Sequence, residues 1–130
     1  MAVATSGDQE IWSCTVNFAY DEKLNLYFLS RLSSKHMQHI SSKPKIAVSL
    51  FDPNTSVHKV GIQLSGNAEI VGDIFVDEIF DIYFSRYGKE GNSADNYKGN
   101  AEWKFVKVTP TEVYYFDTNT PTEDRLRVDL

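Results

Sequence analysis

The sequence predicts a mainly β protein, an antiparallel barrel with two or more flanking α-helices. Three observations carry that expectation. Aromatic residues are abundant (eight Phe, seven Tyr and two Trp in 130 residues), as suits side chains that pack across neighbouring strands. Short runs of alternating apolar residues, such as Ile46, Val48 and Leu50, recur between turn signals. One long strand pattern is interrupted by Gly61 and Gly66, which mark a bulge or a sharp barrel bend. Closing such strands into a barrel removes exposed edges.

The elements follow in order. Residues 1–5 form a first strand, ended by the turn signal Ser6-Gly7-Asp8. A second strand covers 11–20, and Asp21-Glu22-Lys23 turns the chain into a third at 26–30. Ser33 or Ser34 caps a short helix reaching Ser42, with Met37 and Ile40 on its inner face. Lys43-Pro44 stops that helix, because a residue before proline avoids the helical region. A fourth strand occupies 45–51, and Asp52-Pro53-Asn54 is a turn. The fifth strand is long, 57–71. A second helix begins at Gly72-Asp73, places Phe75, Ile79, Ile82 or Tyr83, and Arg86 at helical spacing, and ends at Gly88. Residues 88–101 form a polar, glycine-rich loop. The segments 103–108 and 112–117 are expected to pair as a final hairpin across Thr109-Pro110-Thr111. The polar tail after Thr118 carries no clear pattern. No internal repeat or linker divides the chain, which reads as one domain over residues 1–130.

Composition narrows the function. With 42% hydrophobic residues the chain folds rather than staying disordered. Cys14 is the only cysteine, which rules out a disulfide framework within one chain. No leader-like segment opens the sequence and no apolar run is long enough to span a bilayer, so a soluble, reducing, cytoplasmic setting without membrane association is expected. The net charge of −5 argues against nucleic-acid binding. Charge is unevenly spread, however. Residues 23–51 hold no Asp or Glu and carry +5, leaving −10 on the rest. A basic segment in an acidic chain suits a small anionic ligand better than a polyanion. Cys14, beside Trp12 and Val16, reads as a small buried residue. His36 and His39 lack a nearby Cys or carboxylate in the sequence, so no metal site is expected.

The informative stretch is Ser30-Arg31-Leu32-Ser33-Ser34-Lys35-His36, where a strand gives way to a helix. A helix start presents free backbone N–H groups and the positive end of the dipole. Acidic residues usually stand there. Here the first turn carries Lys35 and His36, with no acid close in sequence. Serine hydroxyls, a lysine and an imidazole around open N–H groups make a phosphate cradle. The plainer reading is a serine-capped helix with solvated cations.

Several stretches in order resemble the pyridoxamine 5'-phosphate oxidase-like flavoproteins. These are Val3-Ala4-Thr5-Ser6-Gly7, then residues 12–21 (Trp-Ser-Cys-Thr-Val-Asn-Phe-Ala-Tyr-Asp), then Leu26-Tyr27-Phe28-Leu29-Ser30. Ser30 matches the family's strand-ending Ser/Thr, and Ser34-Lys35-His36 matches the triplet that opens its following helix. Lys43-Pro44-Lys45 is similar to its Asn-Pro-Arg turn. Gly61-Ile62-Gln63-Leu64-Ser65-Gly66-Asn67-Ala68-Glu69 and Trp103-Lys104-Phe105-Val106-Lys107-Val108-Thr109-Pro110 resemble two of its strands. The resemblance implies a Greek-key split barrel that binds FMN. It implies that Ser30, Ser34, Lys35 and His36 hold the FMN phosphate, and that the protein is a homodimer with FMN at the subunit interface. Thr15 and Val16 are candidates to present backbone to the ring edge, and Gln63 to bond the ring or the ribityl chain.

Departures from the family shape the functional expectation. The true oxidases carry an Arg on strand two and a Lys near its end, whereas residues 11–20 contain neither. They also carry a C-terminal substrate segment for which a 130-residue chain has no room. Pyridoxamine phosphate oxidation is therefore not expected. A flavin brings its own redox chemistry, so the lack of an acid–base triad or metal motif is compatible with flavin work. The primary expectation is a flavin-dependent oxidoreductase of a small-molecule substrate. Two others stand beside it: a binding module for flavin or another phosphorylated ligand without turnover, and a barrel without cofactor that serves as an interaction protein.

Overall fold

The computed structural model describes residues 1–54, 57–120 and 125–130. Along the chain come β1 (Ala2–Ser6), β2 (Ile11–Thr15), β3 (Ala19–Tyr20), β4 (Leu26–Arg31), α1 (Lys35–Ser42), β5 (Lys45–Phe51), β6 (Val60–Ile70), α2 (Val76–Tyr87), β7 (Trp103–Asp117) and β8 (Leu126–Val128). Short 3-10 segments at Asp73–Phe75 and Ala94–Tyr97 precede α2 and β7.

The eight strands form one sheet in the order β2-β1-β5-β6-β7-β4-β3, with β8 beside β7. Every pairing is antiparallel. The two ends of this path, β2 and β3, are separated in sequence only by residues 16–18. Four Cα steps span at most ~15 Å, whereas seven flat strands would hold their edges about 29 Å apart. The sheet must therefore curl until its edges meet, which makes it a barrel. This closure corrects the expectation of one strand over 11–20. The segment pairs with β1 at one edge and with β4 at the other, and it breaks where it crosses the seam.

Two cores result. Inside the barrel, Val3, Leu26, Phe28, Ile46, Val48, Leu64, Val106, Val108 and Val113 pack with Met37 and Ile40 of α1. On the outer face, Tyr27, Val71 and Phe105 pack with Val76, Ile79, Phe80 and Tyr83 of α2. Covering both faces of β4 makes Leu26–Leu29 read as a continuous apolar run, since successive side chains point to opposite sides. Phe75, expected in the apolar stripe, stands just before α2 and is 56% exposed; Phe80 is buried there instead.

The closing hairpin is also corrected. β7 is one continuous strand of 15 residues. Its first half, Trp103–Val108, pairs with β4, and Val106–Asp117 runs beside β6. Thr109-Pro110-Thr111 falls where the register with β6 shifts between Ser65 and Gly66. A Cβ on Gly66 would stand 2.7 Å from the Thr109 carbonyl oxygen, so only glycine lets the two backbones approach there. The bulge also tolerates a residue without an N–H, and the strands bend together rather than reversing. Gly61 keeps its register between Phe51 and Phe116, so it marks a close approach and no bulge. In the polar tail β8 is an addition to the expected elements; residues 121–124 of that tail lie outside the described residues.

Candidate functional site

Ser30 continues the inward row begun by Leu26 and Phe28, and so ends β4 beneath α1. The chain then turns through Arg31–Ser34, closed by the Ser34 N–H donating to the Arg31 carbonyl at 3.0 Å. This turn lays the first helical residues over the end of the strand. Ser30 Oγ stands 2.5 Å from His36 Nε2, Ser34 Oγ is 3.2 Å from the same nitrogen, and the two hydroxyl oxygens are 3.4 Å apart. The structure thus brings Ser30, Ser34 and His36 into one triangle. Burial is the first cause that lowers the His36 pKa, with His39 second, so the ring is neutral at pH 7.

Ser34 occupies the N-cap position but does not cap with its side chain. Its hydroxyl donates to the Arg31 carbonyl at 2.8 Å instead. The first N–H groups of a helix have no partner inside the helix, and this geometry leaves them free of a serine cap. Two hydroxyls, an imidazole and open N–H groups suit the oxygens of a phosphate.

Lys35 turns away from this triangle. Its Nζ lies 3.2 Å from Glu10 Oε2 and 4.5 Å from the centre of the Trp12 ring. The absence of an acid near α1 in the sequence is therefore corrected by the fold. The β1–β2 hairpin delivers Glu10 to the helix flank, where its other oxygen accepts from His39 Nε2 at 3.0 Å. His39 is buried, and its Nδ1 is 2.9 Å from Thr5 Oγ1. An ionised carboxylate only accepts, so Nε2 bears the proton toward Glu10 and the Thr5 hydroxyl donates to Nδ1 when the ring is neutral. His39 and then Lys35 hold the Glu10 carboxyl below its usual pKa. Sequence reading missed Thr5 and Glu10. A signal existed: Thr5 sits two residues after Val3 on the inward face of a strand, and a buried hydroxyl there requires a partner.

The remaining candidates lie elsewhere. Trp12 under Lys35 shows that β2 runs past the start of α1. Thr15 follows three residues further, about 10 Å along the strand. Thr15, Ala2, Ser49, Gln63 and Tyr114 form one cross-strand row on the outer face. Gln63 is exposed there, its Oε1 3.3 Å from Arg125 Nε, in a groove of about 380 Å³ floored by small residues such as Ala2, Ala4 and Ala47. Val16 packs against the barrel core, and its N–H donates to the Met1 carbonyl. Neither Thr15 nor Gln63 touches the Ser30–Ser34–His36 triangle. A larger hollow of about 610 Å³, lined by Asn25, Tyr27, Phe75 and Lys107 among others, opens near the start of β4, away from the triangle at its end. Among the described residues, no group of three or more His, Cys, Asp or Glu is arranged to hold a metal, and no helix is long and apolar enough to cross a membrane.

Comparison with known proteins agrees with this architecture. The family model described as pyridoxamine 5'-phosphate oxidase matches residues 1–117. A protein of unknown function from Agrobacterium tumefaciens superposes with a TM-score of 0.72 at 20% identity, covering 98% of this chain and 54% of its own. The chain thus spans about half of that relative. A FAD-binding protein from Mesorhizobium loti matches at a TM-score of 0.67 and 18% identity, over 86% of this chain and 80% of that one. A pyridoxamine 5'-phosphate oxidase-related, FMN-binding protein from Nostoc punctiforme matches at 0.65 and 11% identity, over 99% and 86%. At these identities the likenesses establish the fold alone. No curated protein matches the chain.

Proposed function

The chain belongs to the pyridoxamine 5'-phosphate oxidase family, and from that premise we propose that it binds FMN as a homodimer and works as a flavin-dependent oxidoreductase on a small molecule. The observation that carries this reading is the Ser30–Ser34–His36 triangle at the uncapped start of α1. Hydroxyl and backbone N–H donors take the phosphate oxygens, and Lys35 adds positive charge on the helix flank. Lys35 and the helix dipole favour a dianion over a neutral ligand. A bound flavin supplies the hydride or electron step. The protein's part is to hold the phosphate, orient the ring and keep water from it. Thr15 ends β2 and Val16 follows it; in this reading the backbone there meets the ring edge, with the Val16 N–H given up by the Met1 carbonyl. Gln63 stands three strands from Thr15, about 14 Å away, so in this reading a second copy brings it to the cofactor.

One observation favours a second reading, a flavin-binding module without turnover. Strand two carries no Arg or Lys, so positive charge that the oxidases place near the flavin is missing there. Reductant screening of flavin-loaded protein separates the two readings.

The test is a visible spectrum after FMN addition and gel filtration, with the column also reporting mass. Retained FMN near one per chain, in a dimer, is expected. The pair Lys35→Ala with His36→Ala should weaken FMN binding by tenfold or more while the fold persists, on the scale of one or two charge-assisted contacts. Unchanged FMN content in that variant would sink the assignment.

A further inference from the structure

The side chain of Lys35 already holds an anion, and it belongs to the protein. Glu10 reaches across from the β1–β2 hairpin, with one carboxylate oxygen on Lys35 and the other on His39. The hairpin is built to place it. The Gly7 N–H donates to the Glu10 carbonyl, and Lys43 Nζ donates to the Gly7 carbonyl at 3.1 Å. A Cβ on Gly7 would lie 2.8 Å from His39 Nε2, so the ring and the hairpin meet at close range. Glu10 and Lys35 are each about half exposed, 48% and 44% at the side chain. Their pairing is thus weak enough to exchange. The other anchor, to the buried His39, does not depend on Lys35.

We propose that Glu10 is an internal competitor for the anion site, occupying Lys35 in the free protein and surrendering it when a phosphate monoester binds at the start of α1. The proposal rests on the phosphate-cradle reading above and adds its regulation. Lys35 has four carbon–carbon bonds of reach and needs only a change of rotamer to turn from the flank toward the triangle. A dianionic phosphate, assisted by the hydroxyls and the helix start, outbids one carboxylate for it. A neutral ligand offers nothing for Lys35 and leaves the Glu10 pair intact. The device therefore selects phosphorylated ligands over their unphosphorylated forms.

The test compares FMN with riboflavin, which carries the same ring without the phosphate, by calorimetry on wild type and Glu10→Gln. Glutamine keeps the length of the side chain and a hydrogen-bonding oxygen for His39 but loses the charge. The expected result is FMN binding about 3- to 10-fold tighter in Glu10→Gln, the scale of one exposed ion pair plus relieved repulsion, with riboflavin unchanged. In a Lys35→Met background the gain should shrink to the part that comes from relieved repulsion, and a gain as large as with Lys35 present would overturn the competition for that side chain. Wild-type protein provides a second readout should the variant misfold: carboxyl carbon NMR should show the Glu10 pKa rising toward the usual range on FMN saturation. FMN binding that is unchanged or weaker in Glu10→Gln, or a Glu10 titration indifferent to FMN, overturns the competitor while leaving the cradle standing. Failure of both proteins to bind FMN overturns both.

Discussion

His36 shows how a single residue links the site to solution conditions. Its ring is buried against Ser30 and Ser34, with Phe28 nearby at 6.3 Å between ring centres. Burial lowers its pKa, so the unfolded chain binds the proton more readily than the folded one. Its contribution to stability is then complete above the ordinary imidazole value of about 6.5 and is lost as pH falls below it toward the folded value. Glu10 behaves in a separate window. Its lowered pKa contributes stability above the ordinary carboxylate value and is lost as pH falls below that. Urea denaturation at pH 7.5 and 5.5 should show wild-type stability falling between the two. The fall should be smaller in His36→Gln; an identical fall would remove His36 as its source. The serine-rich turn with Lys35 and His36 was legible from the sequence as a candidate anion site. The direction of Lys35 was not, because its partner comes from 25 residues away.

At the scale of elements, two glycines let β6 come close to its neighbours, one at a bulge and one within regular pairing. A Cβ on Gly61 would meet the Leu50 carbonyl oxygen at 2.3 Å and the Phe116 ring at 2.6 Å. The ring lies over the bare backbone of its cross-strand neighbour, and the rigid carbonyl belongs to the paired strand. Gly61→Ala must therefore push β5 and β6 apart, costing about 1–3 kcal/mol, as overpacking typically does. A midpoint shift in urea measures it, and a stability equal to wild type would show that the strands yield freely. The two glycines were visible in the sequence as interruptions of a strand, but they do different things. Gly66 lies at the register shift, and Gly61 makes room for an aromatic ring. Sequence periodicity cannot separate these roles, since both read as a missing side chain.

At the scale of the molecule, the barrel is closed by the segment that crosses its seam. Phe18 in that segment is clasped by the end of α2. Tyr87 Oη donates to the Phe18 carbonyl at 2.7 Å and accepts from the Phe18 N–H at 3.0 Å, while the Arg86 guanidinium lies 4.7 Å from the Phe18 ring centre. Removing the hydroxyl in Tyr87→Phe leaves both backbone groups to water at a partly exposed site, at a cost of about 0.5–1.5 kcal/mol. Hydrogen exchange should quicken first at residues 16–20. Uniform exchange across the barrel would show that the seam is not held by this clasp.

The sequence by itself determined the strand-rich composition, both helices, the strand at 45–51 and the serine, lysine and histidine cluster between β4 and α1. These are local matters, written in alternation, helical spacing, capping and turn residues over a few positions. Tertiary structure decided what depends on closure. It split 11–20 into two strands, because the two ends of that segment pair with opposite edges of one sheet. It made 103–117 a single bent strand, because a bulge against Gly66 replaced a turn. It brought Glu10 to Lys35 and His39, because the hairpin and the helix meet only after the barrel has curled. Contacts between residues far apart in sequence leave no period in the chain, so only the folded molecule records them.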